Sequence, residues 1–317
     1  MGAFLKKQFL PVGLVTVALI GLLYPASGIY MATLPTQYIA VTIIFICSGL
    51  TLRTEEIRKA LSAWRATLWG DVSILLITPV LGAWLAYQLP LEQPFQLGLA
   101  LFCCMPTTLS SGLALTVQAR GNVAQALLLT VSTNLLGIFT VPFVLTLLLG
   151  TIGDIQLSAY TLLGKLCLTI LLPLAIGKYL QRVISSWVQA NKANITLASN
   201  AALISIPWMK FSESSERLLQ VALDSLALLV LSGLLIHILF LILNDGVSRL
   251  LRLPLAARKA VVLLASQKTL PVAMTVLAFL PIEPQLKGLV AIPCITFHLS
   301  QIFLDAVIAT HWGQTAD

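Results

Sequence analysis

Two short polar stretches stand out in an otherwise apolar chain: Met105-Pro106-Thr107-Thr108-Leu109-Ser110-Ser111-Gly112 and Ala265-Ser266-Gln267-Lys268-Thr269-Leu270-Pro271. Each combines hydroxyls with a proline. A proline inside a helix removes one backbone donor and crowds the carbonyl four residues earlier. Freed backbone groups, hydroxyls, an amide and an ammonium are ligands for a small ion or a polar solute. Lys268 is the sharpest of these residues, because a charged side chain at the centre of a membrane costs at least about 2.5 to 3.5 kcal/mol. It must face a polar cavity, find a partner or lose its proton. Thr130-Val131-Ser132-Thr133-Asn134 adds further hydroxyls and an amide that can both donate and accept. His298 can relay a proton, or serve as a satisfied imidazole between helices.

Enzyme chemistry finds no foothold. The chain has no DxxxD pair, GxSxG elbow, HExxH or P-loop. Its 12 acidic residues are too scattered for metal chemistry at depth, so no cofactor is expected beyond a coupling ion, Na+ or H+. Asp305 is read as interfacial, near the end of its helix. Asp71, Asp224 and His237 carry little functional weight, and Lys165 is read as a lysine that snorkels to the membrane surface. All five cysteines lie in apolar runs without a metal-ligand spacing and read as small hydrophobes.

The elements that position these residues follow from composition. Of 317 residues, 58% are hydrophobic and only 10% charged, with a mean hydropathy of +0.95. Soluble domains carry roughly 25% charged residues, so a water-facing surface of this size is excluded, and the net charge of +7 does not point to nucleic acid. Crossing a hydrocarbon core takes about 20 apolar helical residues. Ten stretches qualify: 9–28, 37–52, 66–89, 95–118, 123–149, 157–180, 195–209, 219–243, 260–280 and 288–311. With both termini in the cytoplasm, fourteen of the 19 basic residues fall inside and three outside, the asymmetry expected of a multi-pass membrane protein. The run after Lys6 and Lys7 is long for a cleaved signal peptide, and Lys6 stands where a myristoylation signal needs Ser or Thr.

Ten spans divide into two fives, 1–150 and 151–317. An odd number per half requires the halves to be inverted relative to each other. The two polar stretches occupy the fourth span of each half. Paired in this way, they are expected to be discontinuous helices that cross at mid-membrane around a hydrated site, since freed backbone groups survive there only in such an enclosure. The ligand candidates are therefore Thr107, Thr108, Ser110, Ser111, Thr130, Ser132, Thr133, Asn134, Ser266, Gln267, Lys268, Thr269 and His298.

The run Cys103 to Ser111, followed by Ala119-Arg120-Gly121-Asn122-Val123-Ala124 and Thr130-Val131-Ser132-Thr133, resembles the bile acid:sodium symporter family. It is most similar to the subgroup-seven branch and to plastid-type sodium/metabolite cotransporters, where a run like Ser266 to Thr269 recurs. The resemblance covers nearly the whole chain. It implies two inverted five-helix repeats, a panel domain (about 9–52 and 157–209), a core domain (about 66–149 and 219–311), and alternating access of one against the other. It also implies sodium positions at Ser110, Ser111, Thr130, Ser132, Thr133 and Gln267. The family's helix-nine glutamate is Leu263 here, and the asparagine after its glutamine is Lys268. Lys268 then stands either as a tethered cation replacing sodium or as the group whose protonation supplies the coupling. The expected function is a symporter-like secondary transporter for a small organic, anionic solute, sodium- or proton-coupled, in a bacterial inner membrane. The alternative is a regulatory or scaffold protein that keeps a transporter fold.

Overall fold

A computed structural model describes residues 9–52, 64–108, 111–150 and 158–314, and all of its regular structure is helical. In chain order the helices are α1 (Phe9–Leu23), α2 (Pro25–Thr33), α3 (Thr36–Thr51), α4 (Trp64–Gln88), α5 (Gln93–Cys103), α6 (Ser111–Gln118), α7 (Val123–Gly150), α8 (Ala159–Val183), α9 (Ser185–Ala190), α10 (Lys192–Glu213), α11 (Ser215–Leu218), α12 (Leu223–Leu250), α13 (Leu255–Ser266), α14 (Leu270–Phe279) and α15 (Pro284–Gln314). Single π-helical turns interrupt α4 at Ser73–Ile77 and α8 at Cys167–Leu171. In both, an X-Pro pair follows directly, Thr78-Pro79 and Leu172-Pro173.

Among the described residues, six helices are long and apolar enough to cross a membrane: α4, α7, α8, α12, α15 and the 25-residue stretch that α13 and α14 share. A seventh arises if α1 and α2 count as one span. The run 9–28, expected as one straight helix, instead bends by 98° between α1 and α2. Tyr24 leaves helical geometry (φ −133°, ψ 64°) and Pro25 starts the next helix, the position where its missing N–H costs nothing. The other expected spans fall short for identifiable reasons. α3 has 16 residues, the 95–118 stretch is split between α5 and α6, and Lys192, Asn194, Asn200, Lys210 and Glu213 dilute the apolar character of α10.

The chain divides into two compact units, residues 1–52, 155–223 and 274–292 in one, and 53–154, 224–273 and 293–317 in the other. In the first, α3 packs on α8 at backbone distance. A Cβ on Gly49 would lie 2.2 Å from the Leu174 carbonyl oxygen, and one on Gly177 would lie 2.2 Å from that of Ile46. Close approach of this kind is how membrane helices gain dispersion energy without a hydrophobic drive. Lys178 then donates to the Leu52 carbonyl at 2.6 Å, satisfying the C-terminal end of α3. Lys165 is exposed, with its ammonium 5.2 Å from the Phe279 ring centre.

The second unit is built on a buried apolar cluster that includes Ile74, Leu115, Leu129, Leu263, Leu264 and Ala309. Asn122 caps α7 by accepting from the Gln125 N–H at 3.0 Å. Lys259 is buried, and its ammonium donates at 2.9 Å to the carbonyls of Ala119 and Trp312, where α6 and α15 end. A cation there meets the negative ends of two helix dipoles.

Gly177→Ala inserts a methyl group where backbone already stands. Overpacking of this kind costs about 1–3 kcal/mol, so the thermal unfolding midpoint in detergent is expected to drop by several degrees. An unchanged midpoint would show that α3 and α8 do not approach this closely.

Candidate ion and solute site

Two helix breaks meet in the second unit. α5 stops at Cys103 because Pro106 has no N–H for the Phe102 carbonyl, which Met105 N–H takes up instead at 3.1 Å. α13 stops at Ser266, and Gln267 is extended (φ −82°, ψ 148°). Continuing that helix would drive the Pro271 ring into the Gln267 carbonyl. The chain thus leaves helical geometry at 104–108 and at 267–269.

The groups freed by one break are satisfied largely by the other. Thr269 N–H donates to the Pro106 carbonyl at 2.9 Å, the Thr107 hydroxyl donates to the Leu264 carbonyl, and the Thr108 hydroxyl donates to Gln267 Oε1 at 2.7 Å. Neighbouring helices complete the accounting. From α7, Asn134 Nδ2 donates to the Thr107 carbonyl at 3.0 Å. From α15, the Gln301 amide clamps residue 268, accepting from its N–H at 2.9 Å and donating to its carbonyl at 2.7 Å. From α12, Asn244 Nδ2 donates to the Ser266 hydroxyl at 3.3 Å while its Oδ1 accepts from Ser73 at 2.7 Å.

Lys268 is fully buried and held by hydrogen-bond partners. Its ammonium donates at 2.9 Å to both the Ile74 carbonyl and the Thr78 hydroxyl. The π-turn of α4 makes this possible. Thr78 N–H bonds back to the Ser73 carbonyl, and residue 79 is a proline, so the Ile74 carbonyl has no helix donor left and accepts the ammonium. No carboxylate pairs with Lys268 among the described residues.

Three residues given little weight in the sequence prove central or adjacent. Asp305, read as interfacial, is fully buried and accepts from Gln267 Nε2 at 2.6 Å. Its other oxygen lies 2.8 Å from Nε2 of the equally buried His237, whose Nδ1 is 3.1 Å from the Ser266 carbonyl. Asp71, half-buried on α4, accepts from the Ser132 hydroxyl at 2.7 Å. The signal for Asp305 and His237 was their helical spacing: 298, 301 and 305 share one face of α15, and 237 and 244 share one face of α12.

The remaining candidates divide. Thr130 Oγ1 and Asn134 Oδ1 are buried oxygens with no hydrogen-bond partner among the described residues. Two carbonyls, those of Thr107 and Thr130, fix the Asn134 amide nitrogen and hence leave its oxygen unpaired. Thr133 is buried and bonds back to the Leu129 carbonyl. Ser111 begins α6 and is half-buried, while Ser110 lies outside the described residues. His298 is buried near the crossing, with Nδ1 3.1 Å from Gln301 Nε2. Leu263 is packed wholly in the apolar cluster.

Apolar helices of membrane-crossing length around a buried polar crossing define a multi-pass integral membrane protein. The family model described as the SBF-like CPA transporter family matches residues 8–314, and the chain belongs to that family, a family of transporters and not of enzymes. The probable chloroplast sodium/metabolite cotransporter BASS4 of Oryza sativa subsp. indica is 37% identical over 98% of this chain and 77% of its own length. Sodium/bile acid cotransporter 7-A of Xenopus laevis is 28% identical over 96% of this chain and 91% of its own. The putative symporter YfeH of Escherichia coli K12 is likewise 28% identical, over 96% and 92%.

Removing one acceptor from a buried ammonium is costly, since hydrogen bonds to charged groups contribute about 1.5–3 kcal/mol. Thr78→Val is expected to destabilise the protein in detergent melts by about that amount. Adding Lys268→Met should recover most of the loss, because a buried charge without partners is worse than an apolar replacement. Equal melting of Thr78→Val and wild type would refute the Lys268–α4 link.

Proposed function

We propose that the chain is a sodium-coupled secondary transporter for a small organic anion, working by alternating access of a core domain (about 66–149 and 219–311) against a panel domain (about 9–52 and 157–209). Ten spans in two inverted five-helix repeats, with both termini on the basic, cytoplasmic side of a bacterial inner membrane, complete the reading. The observation that carries it is the bonded meeting of two interrupted helices. Unwound backbone is tolerated at membrane depth only where protein or water encloses it, and in carriers that is where cargo binds. The names of the relatives, sodium/metabolite and sodium/bile acid cotransporters, support the coupling ion.

The sodium ion is assigned to the α7 side of the crossing. There, among the described residues, the unpaired oxygens of Thr130 and Asn134 lie one helical turn apart on α7, while Ser132, bonded to the Asp71 carboxylate, is on the opposite face. Lys268, held by α4 oxygens, fills the place of a second cation, so one sodium ion per cycle is the expected stoichiometry. The N-terminal ends of α6 and α14 bring positive dipole ends to the crossing, which favours an anionic solute.

Uptake of a panel of labelled organic acids into proteoliposomes tests this. An inward sodium gradient should drive accumulation of at least one acid. Asn134→Leu and Gln267→Ala should each slow it at least about tenfold, the effect of losing about 1.4 kcal/mol of ligand energy. Uptake that ignores sodium and is untouched by Lys268→Ala and Gln267→Ala would contradict the proposal.

A further inference from the structure

Hydrogen-bond valence fixes protons at two buried histidines. Gln301 is held in one orientation by the backbone of residue 268, because only its oxygen can accept from that N–H and only its nitrogen can donate to that carbonyl. Its nitrogen therefore donates to His298 Nδ1, and His298 carries its proton on Nε2. His237 is determined differently. The Ser266 carbonyl can only accept, so His237 Nδ1 must be protonated to make its 3.1 Å bond. Nε2 then faces Asp305 Oδ1 at 2.8 Å. A bare nitrogen lone pair and a bare carboxylate oxygen would repel at that distance, so one more proton lies between them. The pair is either imidazolium with carboxylate or neutral imidazole with carboxylic acid, and both forms hold the same number of protons.

Asp305 Oδ2 accepts from Gln267 Nε2, and Gln267 Oε1 accepts from Thr108, whose hydroxyl oxygen also accepts from Gly112 N–H at 3.0 Å at the start of α6. A single chain of bonds thus runs from the proton, through the α13–α14 break, to the α5–α6 break. The surrounding elements also carry Lys268, Cys103, Cys104, Cys294, His298, Asp71 and Tyr87 and, toward helix ends, Asp224, Asp245, Arg258, Lys259 and His311. Lys268 points to α4 and Asp71 bonds Ser132, so neither supplies the proton to this pair.

We infer that His237 and Asp305 form a proton-binding site that couples proton binding to the closed state of the helix crossing, so that the carrier moves or exchanges a proton in its cycle. Release leaves His237 neutral and Asp305 ionised with facing lone pairs. Either Asp305 then swings away and Gln267 loses its anchor, or the remaining proton moves to Nε2 and the Ser266 carbonyl loses its donor; both release a bond of the crossing. The coupling role rests on the transporter reading above, whereas the proton count does not.

The chain has three histidines, His237, His298 and His311, so spectra of 15N-imidazole-labelled protein in lipid are assignable by single substitution. In the closed crossing, His237 Nδ1 is expected to be protonated and Nε2 to share a proton with Asp305. Raising the pH should remove the shared proton from the His237–Asp305 pair in one step. In Asp305→Asn, whose amide mimics the proton-loaded acid, that step should be absent, with His237 held as the neutral Nδ1–H tautomer. Hydrogen–deuterium exchange, corrected for intrinsic pH dependence, should show the peptides around 103–112 and 266–270 losing protection across the same step in wild type. A neutral Nε2–H tautomer in wild type before the step, no step, or protection that ignores the step each overturns the inference, and all three are read on the wild-type protein. Sodium-driven uptake without a His237 step counts against this inference alone; a step without any uptake counts against the transporter reading alone.

Discussion

Backbone that leaves helical geometry inside hydrocarbon must have its N–H and C=O groups satisfied by protein, because no water is at hand to do so. The second unit is organised around that constraint. Pro106 and Pro271 break two apolar helices, and the breaks are repaired by hydrogen bonding to each other and to side chains from α7, α12 and α15. Asn134, His237 and Gln301 each accompany a specific freed carbonyl. Their presence in apolar helices, where polar residues are expensive, follows from the breaks.

The same logic places the charge. Lys268 is accommodated because α4 has a break of its own on a smaller scale, a π-turn whose carbonyl is left open by Pro79. Single π-turns of this type occur frequently at functional sites. Asp305 is accommodated by His237 and Gln267, so Lys268 and the acid–imidazole pair are held in separate hydrogen-bonded seats. A rearrangement of the crossing would have to release one of these seats.

Much of this was legible before the structure. Proline beside hydroxyls in two apolar runs marks both breaks, and the cost of burying Lys268 left it a polar cavity, a partner or a lost proton, of which the structure shows partners. The partner itself was not legible, because a carbonyl becomes an acceptor for lysine only when Thr78 N–H is diverted and Pro79 lacks a hydrogen, a three-way coincidence on another helix. Asp305 and His237 were undervalued because each was weighed alone by its distance from a helix end. The face each shares with other polar residues was the better guide. The bend at Tyr24 was missed because an apolar run reads as straight unless its proline is counted. Composition alone reveals little about the α3–α8 packing, where Gly49 and Gly177 matter for what they lack.

The most direct measurement of the central claim is a double-mutant cycle across the crossing. Thr108→Val and Gln267→Met, singly and together, would be compared by thermal unfolding in lipid nanodiscs. Residues in one hydrogen-bonded network show interaction energies of about 0.5–3 kcal/mol, so the double variant is expected to be more stable than the summed single losses imply. Strict additivity would mean that the two breaks do not support one another, and the account of the site would fail with them.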